Sequence, residues 1–423
     1  MTRAQTDVAV IGGGPAGLAA ALEADRLGLG AVILEREAEL GGILQQCIHD
    51  GFGIHRFKRR LSGTEYAQAF IDQLEGSSAK AHLGAMVLEI QCPADDERVV
   101  YAVSKTDGMI ELHCKTVILA MGCRERTASQ VFIYGERPAG IMTAGQVQRM
   151  INVEGFLPGK SAVILGSGDI GLIMARRMTL EGIEVKGVYE AMPSPGGLAR
   201  NVSQCLNDFD IPLHLSSTVV SVQGRRRVES VTVAKLDESR KPIPETEEVI
   251  PCDLLVLSVG LLPENELSRH AGVEIDPKTK GPLLDESFMT SVPGIFACGN
   301  VAIVFDLVDY VSVSGELAAQ GAFDYISKGF PKSFEYDQVN ASGNISLIVP
   351  QRLKKGRDSG KRSFFIRAKA PEKLSKLEFS QNGETILSRK LKAVSPPEMI
   401  FREVEEQGLG PVEAVLEGGA ANA

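Results

Sequence analysis

Apolar residues along this chain are distributed in two different ways. Up to about residue 330 they form short continuous runs separated by longer stretches with helical spacing. Val8-Ala9-Val10-Ile11, Ala31-Val32-Ile33-Leu34 and Ala162-Val163-Ile164-Leu165 are runs of four, the pattern of strands buried on both faces of a parallel sheet. Residues 16–27 and 170–181 read as helices, and residues 185–189 as a further strand. Beyond residues 328–331 the helical periodicity stops. Strand-like runs follow at 345–349, 364–368, 374–379, 385–391 and 399–404, punctuated by Gly, Pro, Asn and Asp. That texture predicts a small antiparallel β-domain of sandwich type. Residues 418–423 are a tail of small residues expected to fray. The predicted fold class is therefore α/β, with a C-terminal antiparallel β-sandwich-like domain.

The junction between the first run and the first helix is Gly12-Gly13-Gly14-Pro15-Ala16-Gly17, a G-x-G-x-x-G, and the second run ends at Glu35. In strand-turn-helix-strand-acid order each position has a task. Gly12 makes the tight turn, Gly14 admits a pyrophosphate to the helix N-terminus, Gly17 lets the helix pack on the strand, and Glu35 accepts ribose hydroxyls. The pattern recurs as Gly166-Ser167-Gly168-Asp169-Ile170-Gly171 with Glu190 as the terminal acid. The pair Gly196-Gly197 follows Glu190 at the spacing of Gly41-Gly42 after Glu35. Two copies imply two Rossmann-like three-layer dinucleotide-binding domains in the α/β part, hence two dinucleotide sites; the alternative is a degenerate second domain that binds nothing.

The 423 residues fit about three domains at roughly 150 residues each. A net charge of -9 argues against a nucleic-acid-binding protein. The segment from residue 331 onward carries 15 basic and 12 acidic residues, with Arg352, Lys354, Lys355, Arg357, Lys361 and Arg362 close together. They read as a solvated loop, or alternatively as a docking surface for an acidic partner. Seven scattered cysteines without C-x-x-C, and six histidines without H-x-x-x-H, offer no disulfide scaffold and no metal site. No apolar run approaches the ~18 residues of a membrane span. The N-terminus has no leader pattern, so a cytoplasmic location is expected.

With these motifs the chain resembles the two-dinucleotide-binding-domain flavoproteins, which include the pyridine nucleotide-disulfide oxidoreductases. Residues 116–122, ending Ala120-Met121-Gly122, resemble the strand that closes the first FAD segment. Residues 254–260 with Pro263 resemble the strand closing the nicotinamide domain. Residues 290–300, ending Cys298-Gly299-Asn300, resemble the second FAD fingerprint, and the helix at 315–320 follows it. The resemblance implies an NAD domain inserted in a split FAD domain: 1–127 with 265–330 for FAD, 128–264 for NAD(P), and 331–423 for the β-domain. The fingerprint normally ends in Asp. Here Asn300 keeps a side-chain oxygen that can accept a ribityl hydroxyl, without the charge. Residues 41–53 and 137–146 are more specifically similar to FAD/NAD-linked proteins that accompany anaerobic glycerol-3-phosphate dehydrogenases. The second stretch is also similar to flavoprotein subunits of sarcosine, opine and cyanide-forming amine dehydrogenases.

The resemblance assigns FAD to Gly12, Gly14, Pro15, Ala16, Gly17, Glu35, Arg36, Gly42, Ile43, Val87, Ala120, Gly122, Gly299, Asn300, Leu307 and Val308. It assigns the nicotinamide nucleotide to Gly166, Gly168, Asp169, Ile170, Glu190 and Gly260. Glu190 favours NAD(H), with NADP(H) as the second reading, because a carboxylate bonds a 2′-hydroxyl and repels a 2′-phosphate. Cys47 is the candidate catalytic thiol. It lacks the second cysteine of the disulfide reductases and reads otherwise as a packed, inert residue. His49 and His55 are candidate proton donors or structural histidines.

The expected function is an FAD-dependent NAD(P)H oxidoreductase that passes electrons between NADH and a partner flavoprotein dehydrogenase subunit or a small acceptor. The alternatives are a stand-alone NADH oxidase or thiol-disulfide or coenzyme A-disulfide reductase using Cys47, and a non-enzymatic flavin-bearing scaffold or redox sensor. Because the cofactor motifs end before Phe330, the β-domain is expected to be dispensable for both nucleotide sites.

Overall fold

The computed structural model describes residues 2–418, so most of the small-residue tail lies outside the described residues. The chain divides into two compact units, Met1–Cys123 with Pro263–Ala423, and Arg124–Leu262.

In the first unit Thr2–Ile11 is the central strand of a seven-stranded sheet. It runs parallel to Ala31–Leu34 in the register Val8↔Ala31, and to Gly108–Leu119 in the register Val8↔Thr116. Lys80–His82 extends the parallel part, and Ile295–Ala297 joins through Phe296↔Ile118. Glu97–Ser104 and Met86–Ala94 add an antiparallel ribbon. The continuous apolar runs are explained by burial: Val8, Ala9, Val10, Ile33 and Ile118 have no exposed surface. Helices Pro15–Arg26, Gly63–Glu75 and Val308–Ser327 pack into that core.

The second unit has a five-stranded parallel sheet in the order Ile141–Thr143, Leu254–Leu257, Ser161–Leu165, Glu184–Tyr189, Leu213–His214. Helices Ala144–Asn152 and Asp169–Leu180 contribute to its core. A four-stranded sheet containing Ser217–Gln223 and Ser230–Lys235 completes it.

The residues after 331 form a five-stranded sheet and a three-stranded one. Pairing is antiparallel except for Tyr336–Gly343 beside Val412–Gly418. Tyr336–Gly343, Arg352–Lys354 and Val412–Gly418 are strands that the apolar pattern did not reveal. These sheets do not form a third compact unit. In the strand Gly360–Ala368, Phe364 and Ile366 face the core between the two C-terminal sheets. Phe365, between them, belongs with Val349 and Met399 to the core of the first unit. Its ring meets Phe305 at 5.2 Å and Phe288 at 6.0 Å, both edge-on. Removing a fully buried phenylalanine costs about 3–5 kcal/mol, so the segment contributes to the stability of the first unit.

The basic cluster is less solvated than its sequence suggests, because most of its members are paired. Arg352 is buried over the Tyr336 ring at 3.8 Å and donates to the Thr290 carbonyl at 3.0 Å. Lys354 pairs with the fully buried Asp285 at 3.1 Å. Arg357 forks onto Glu406 through two 3.0 Å bonds and also reaches Asp337 at 3.0 Å. Lys355 meets Glu335 at 3.2 Å, and Arg362 lies 3.5 Å from Glu406. Lys361, on the same strand as Arg362, is exposed. Among the described residues no helix is long and apolar enough to cross a membrane.

His113, on Gly108–Leu119, sits between Glu97 at 2.8 Å and Glu111 at 2.9 Å. The hydrogen bonds to Glu97 and Glu111 raise its pKa above the usual 6.5. A raised folded-state pKa gives stability that is complete below the unfolded value and lost as pH rises through the folded one. The melting-temperature difference between wild type and His113→Gln should therefore be largest near about pH 6 and shrink by about pH 9. Thermal melts of both proteins across that range check it, and a difference that grows with pH would refute it.

Candidate functional site

The two glycine-rich turns fold alike because the same groups satisfy them. In the first, the Gly12 amide donates to Leu34 O at 2.9 Å, and Ala120 N donates to Ile11 O at 2.9 Å. In the second, Gly166 N donates to Tyr189 O and Ser258 N to Leu165 O, both at 2.7 Å. Each turn is then held by its terminal carboxylate. Glu35 Oε2 accepts from Gly13 N at 2.6 Å and Oε1 from Glu37 N at 2.7 Å. Glu190 Oε2 accepts from Ser167 N and Oε1 from Met192 N, both at 2.9 Å. Both carboxylates are largely buried.

Close packing explains the outer glycines. A Cβ on Gly12 would lie 2.5 Å from the Ala120 carbonyl oxygen, and one on Gly17 would strike the Gly12 carbonyl oxygen. Gly166 and Gly171 are confined in the same way by Ser258 and Gly166. The central glycines differ. A Cβ on Gly14 would have only the Gly42 Cα nearby, at 4.0 Å, and one on Gly168 only Ser258 atoms at 3.6 and 4.0 Å. Gly14 and Gly168 are also the N-caps of their helices, and neither has a side chain to cap the first-turn amides. Open space at a helix N-terminus whose first-turn amides have no side-chain cap fits a pyrophosphate.

Around the first turn the structure gathers most of the expected residues. Pro15 opens the helix and Ala16 is buried in its first turn. Gly42 approaches Gly14, with a Cβ there 3.1 Å from the Gly14 Cα, and the Gly41 amide donates to Gly13 O at 2.8 Å. Gly299 lies against Ala16, 2.7 Å from Cβ to Cβ once a side chain is built on it. Ile43 is 58% exposed beside this cradle. Gly122 accepts from Glu264 N at 3.0 Å. Asn300 Oδ1 accepts the Phe305 amide at 3.0 Å, and its Nδ2 reaches Cys123 Sγ at 3.5 Å. Leu307 is the N-cap of Val308–Ser327, so the helix begins well before residue 315. Two residues are placed differently. Val87 is buried within its strand, although the neighbouring Ala85 amide donates to Glu35 O at 2.8 Å. Arg36 is exposed and faces Glu37 at 3.9 Å.

Around the second turn, Gly166, Gly168 and Glu190 meet. Asp169 turns instead to the following loop, where Oδ1 accepts from Leu198 N at 2.8 Å and Asn201 Nδ2 at 2.6 Å. Ile170 packs against the core of its unit. Gly260 accepts from Arg126 N at 3.0 Å. Sequence reasoning overlooked Ser167. Its hydroxyl donates to Glu190 Oε2 at 2.6 Å and accepts from Gly196 N at 2.8 Å, tying the turn to the Gly196-Gly197 loop. A hydroxyl at the second motif position was the available signal. Asp309 was also overlooked; it accepts the His55 and Arg56 amides, each at 3.3 Å.

The thiol of Cys47 donates to Ile43 O at 3.3 Å. Burial pushes its pKa up to about 12, which leaves almost no thiolate at neutral pH. His49 tilts against Phe52 at 5.0 Å, and His55 stacks on Tyr310 at 6.2 Å. Among the described residues no cluster of His, Cys, Asp and Glu could hold a metal ion.

A family model described as pyridine nucleotide-disulphide oxidoreductase matches residues 6–322, well over half of the chain. The hydrogen cyanide synthase subunit HcnB of Pseudomonas aeruginosa is 26% identical, with 69% of this chain and 66% of that protein aligned. One subunit of the opine oxidase of Agrobacterium tumefaciens is 26% identical, over 75% of this chain and 65% of that protein. The chain thus spans about two thirds of the length of these relatives. The thioredoxin reductase structure from T. acidophilum superposes with a TM-score of 0.62 at 24% identity, covering 76% of this chain and 99% of that one. It has the same fold.

The unequal crowding of the glycines makes a paired prediction. Gly14→Ala should leave the melting temperature within a few degrees of wild type, because its φ of -75 suits any residue. It should weaken FAD binding by about tenfold or more, since the methyl takes space in the cradle. Gly168→Ala should do the same to nicotinamide nucleotide. Gly17→Ala should instead destabilise the fold. Calorimetry with fluorescence titration checks all three; Gly14→Ala with unchanged FAD affinity would be the wrong outcome.

Proposed function

This chain belongs to the pyridine nucleotide-disulphide oxidoreductase family, whose members bind FAD and use NAD(P)H; as a flavin-dependent oxidoreductase of that kind, it exchanges electrons, we propose, between NADH and a partner dehydrogenase subunit or a small acceptor. The observation that carries this reading is the duplicated cradle: the same turn, the same uncapped helix start and the same carboxylate clamp occur once in each unit. Two such cradles suit two dinucleotides, FAD in the first unit and the nicotinamide nucleotide in the second.

FAD, when bound, supplies the two-electron redox chemistry. The protein's own tasks are to bind, orient and exclude water. Gly14 would leave room for the FAD pyrophosphate, with Gly12, Gly17, Gly42 and Gly299 closing the turn packed around it; Glu35 would serve its ribose, and Asn300, Leu307 and Val308 the flavin end. Gly166, Gly168 and Glu190 hold the nicotinamide nucleotide. Glu190 favours NADH, because an oriented carboxylate repels a 2′-phosphate.

A partner is favoured over a thiol-disulfide substrate for two reasons. Cys47 is a half-buried thiol whose pKa is raised by desolvation, poorly suited to nucleophilic exchange. The cyanide synthase and opine oxidase relatives are subunits of larger enzymes. A flavoprotein oxidising glycerol-3-phosphate or an amine is the partner class this reading selects. Co-purification from the native cell tests it: a second flavoprotein should accompany the chain. High turnover of the isolated chain with NADH and oxygen, or with coenzyme A disulfide, would overturn it.

In rapid mixing, NADH should reduce the bound flavin faster than NADPH does, and Glu190→Ala should narrow the gap; a wild-type preference for NADPH would contradict the assignment. Cys47→Ser should retain reduction of FAD by NADH at a rate within about threefold of wild type, since the thiol is off that path. Loss of reduction with FAD still bound would restore Cys47 as a catalytic residue.

A further inference from the structure

Residues 303–307 lead into the helix Val308–Ser327, and the C-terminal strands grip them and the first turn of the helix at several points. Arg367, on Gly360–Ala368, donates from Nη2 to Val304 O at 2.8 Å. Its Nη1 donates to Pro396 O at 2.7 Å and Pro397 O at 3.0 Å. The Met399 amide, on the neighbouring strand, donates to Asp306 Oδ2 at 3.0 Å. Phe305 packs on Phe365, and Tyr310 packs on Phe401 at 5.4 Å. From the other side, Asn300 Oδ1 holds the Phe305 amide and Asp309 holds the His55 and Arg56 amides.

We propose that Arg367 is a positioning residue of the FAD site, fixing from the C-terminal sheet the loop that sets the N-terminal end of the Val308–Ser327 helix. The inference rests on the reading that Leu307 and Val308 face the flavin. A guanidinium is a planar fork with donors in fixed directions. Here it spans three carbonyls that belong to two separate segments, 304 and 396–397, so it sets the distance between them. Burial lowers the Arg367 pKa and the charge of Asp306 opposes that loss. The other Asp306 oxygen, Oδ1, is buried with no hydrogen-bond partner, so the Arg367 charge also steadies the carboxylate that anchors Met399. The helix N-terminus carries its positive partial charge into whatever lies before it, and that field falls off within a turn. A small shift of the loop therefore changes both the affinity for the flavin and its electronic environment.

The test uses the full-length protein. Arg367→Met should weaken FAD binding by about tenfold or more and shift the flavin absorbance maximum and midpoint potential, through loss of the fork. Gln381→Ala is the control. It removes the bonds of a buried side chain to Leu409 O at 2.8 Å and from Gln407 N at 2.7 Å, in the other C-terminal sheet. It should lower the melting temperature yet leave FAD affinity and spectrum within about twofold of wild type. If Arg367→Met does not fold, Arg367→Lys keeps the charge beside Asp306, loses the fork, and is judged by the same readings. A folded Arg367 variant with wild-type FAD affinity and potential overturns the inference, as does a Gln381→Ala that weakens FAD equally. A wild-type chain that binds no FAD would instead overturn the assignment of the first cradle on which it rests.

Discussion

Each nucleotide cradle hangs on one buried carboxylate accepting backbone amides from two directions, Glu35 from Gly13 and Glu37, Glu190 from Ser167 and Met192. Without that acceptor the turn amides would be buried unsatisfied, at about 1–3 kcal/mol each. With it, the turn is held clear of the helix start, and the space over Gly14 and Gly168 stays open. The clamp also limits what each carboxylate can still bind. Each oxygen has two lone-pair directions. Glu35 uses one on each oxygen. Glu190 uses both on Oε2, for the Ser167 amide and hydroxyl, and one on Oε1. The second cradle therefore retains fewer acceptors for a ribose than the first, and Ser167 is the reason.

What was legible in the sequence is what depends on neighbours along the chain. Val8-Ala9-Val10-Ile11 and Gly12 to Gly17 announce a buried strand and a turn because the local backbone demands those residues. The acids Glu35 and Glu190 follow because a short helix returns the next strand beside the first. What was not legible depends on distant partners. Arg357 is paired with Glu406, 49 residues away, and Arg352 is buried, so a basic run that looked solvated is largely tied down. Asp169 fits the nucleotide motif by position, yet its carboxylate is used by the loop at Leu198 and Asn201, 29 and 32 residues on. Tyr336–Gly343 is mostly polar and shows no alternation; it is a strand because Val339 pairs beside Val412 and the sheet closes around it.

The same distance problem hid the dependence of the first unit on its C-terminal strands. Strand residues alternate faces with a period of two. In Gly360–Ala368 that period places Phe364 and Ile366 in one core and Phe365 in another. A register slip of one residue would exchange the two sets and carry Ser363 or Arg367 into the core between the C-terminal sheets. The strand is thus fixed from both sides, and Arg367, two residues beyond Phe365, inherits that fixity. A long, rotamer-rich side chain placed on a loose edge would lose entropy to reach Val304 O. On a strand locked by two cores, the backbone share of that loss is already met by apolar burial. This is why a family match that ends at residue 322 does not mark the end of what the first unit needs. The fingerprint residues bring the Gly299-Asn300 turn to the first helix, and the strands beyond them decide where the following loop comes to rest.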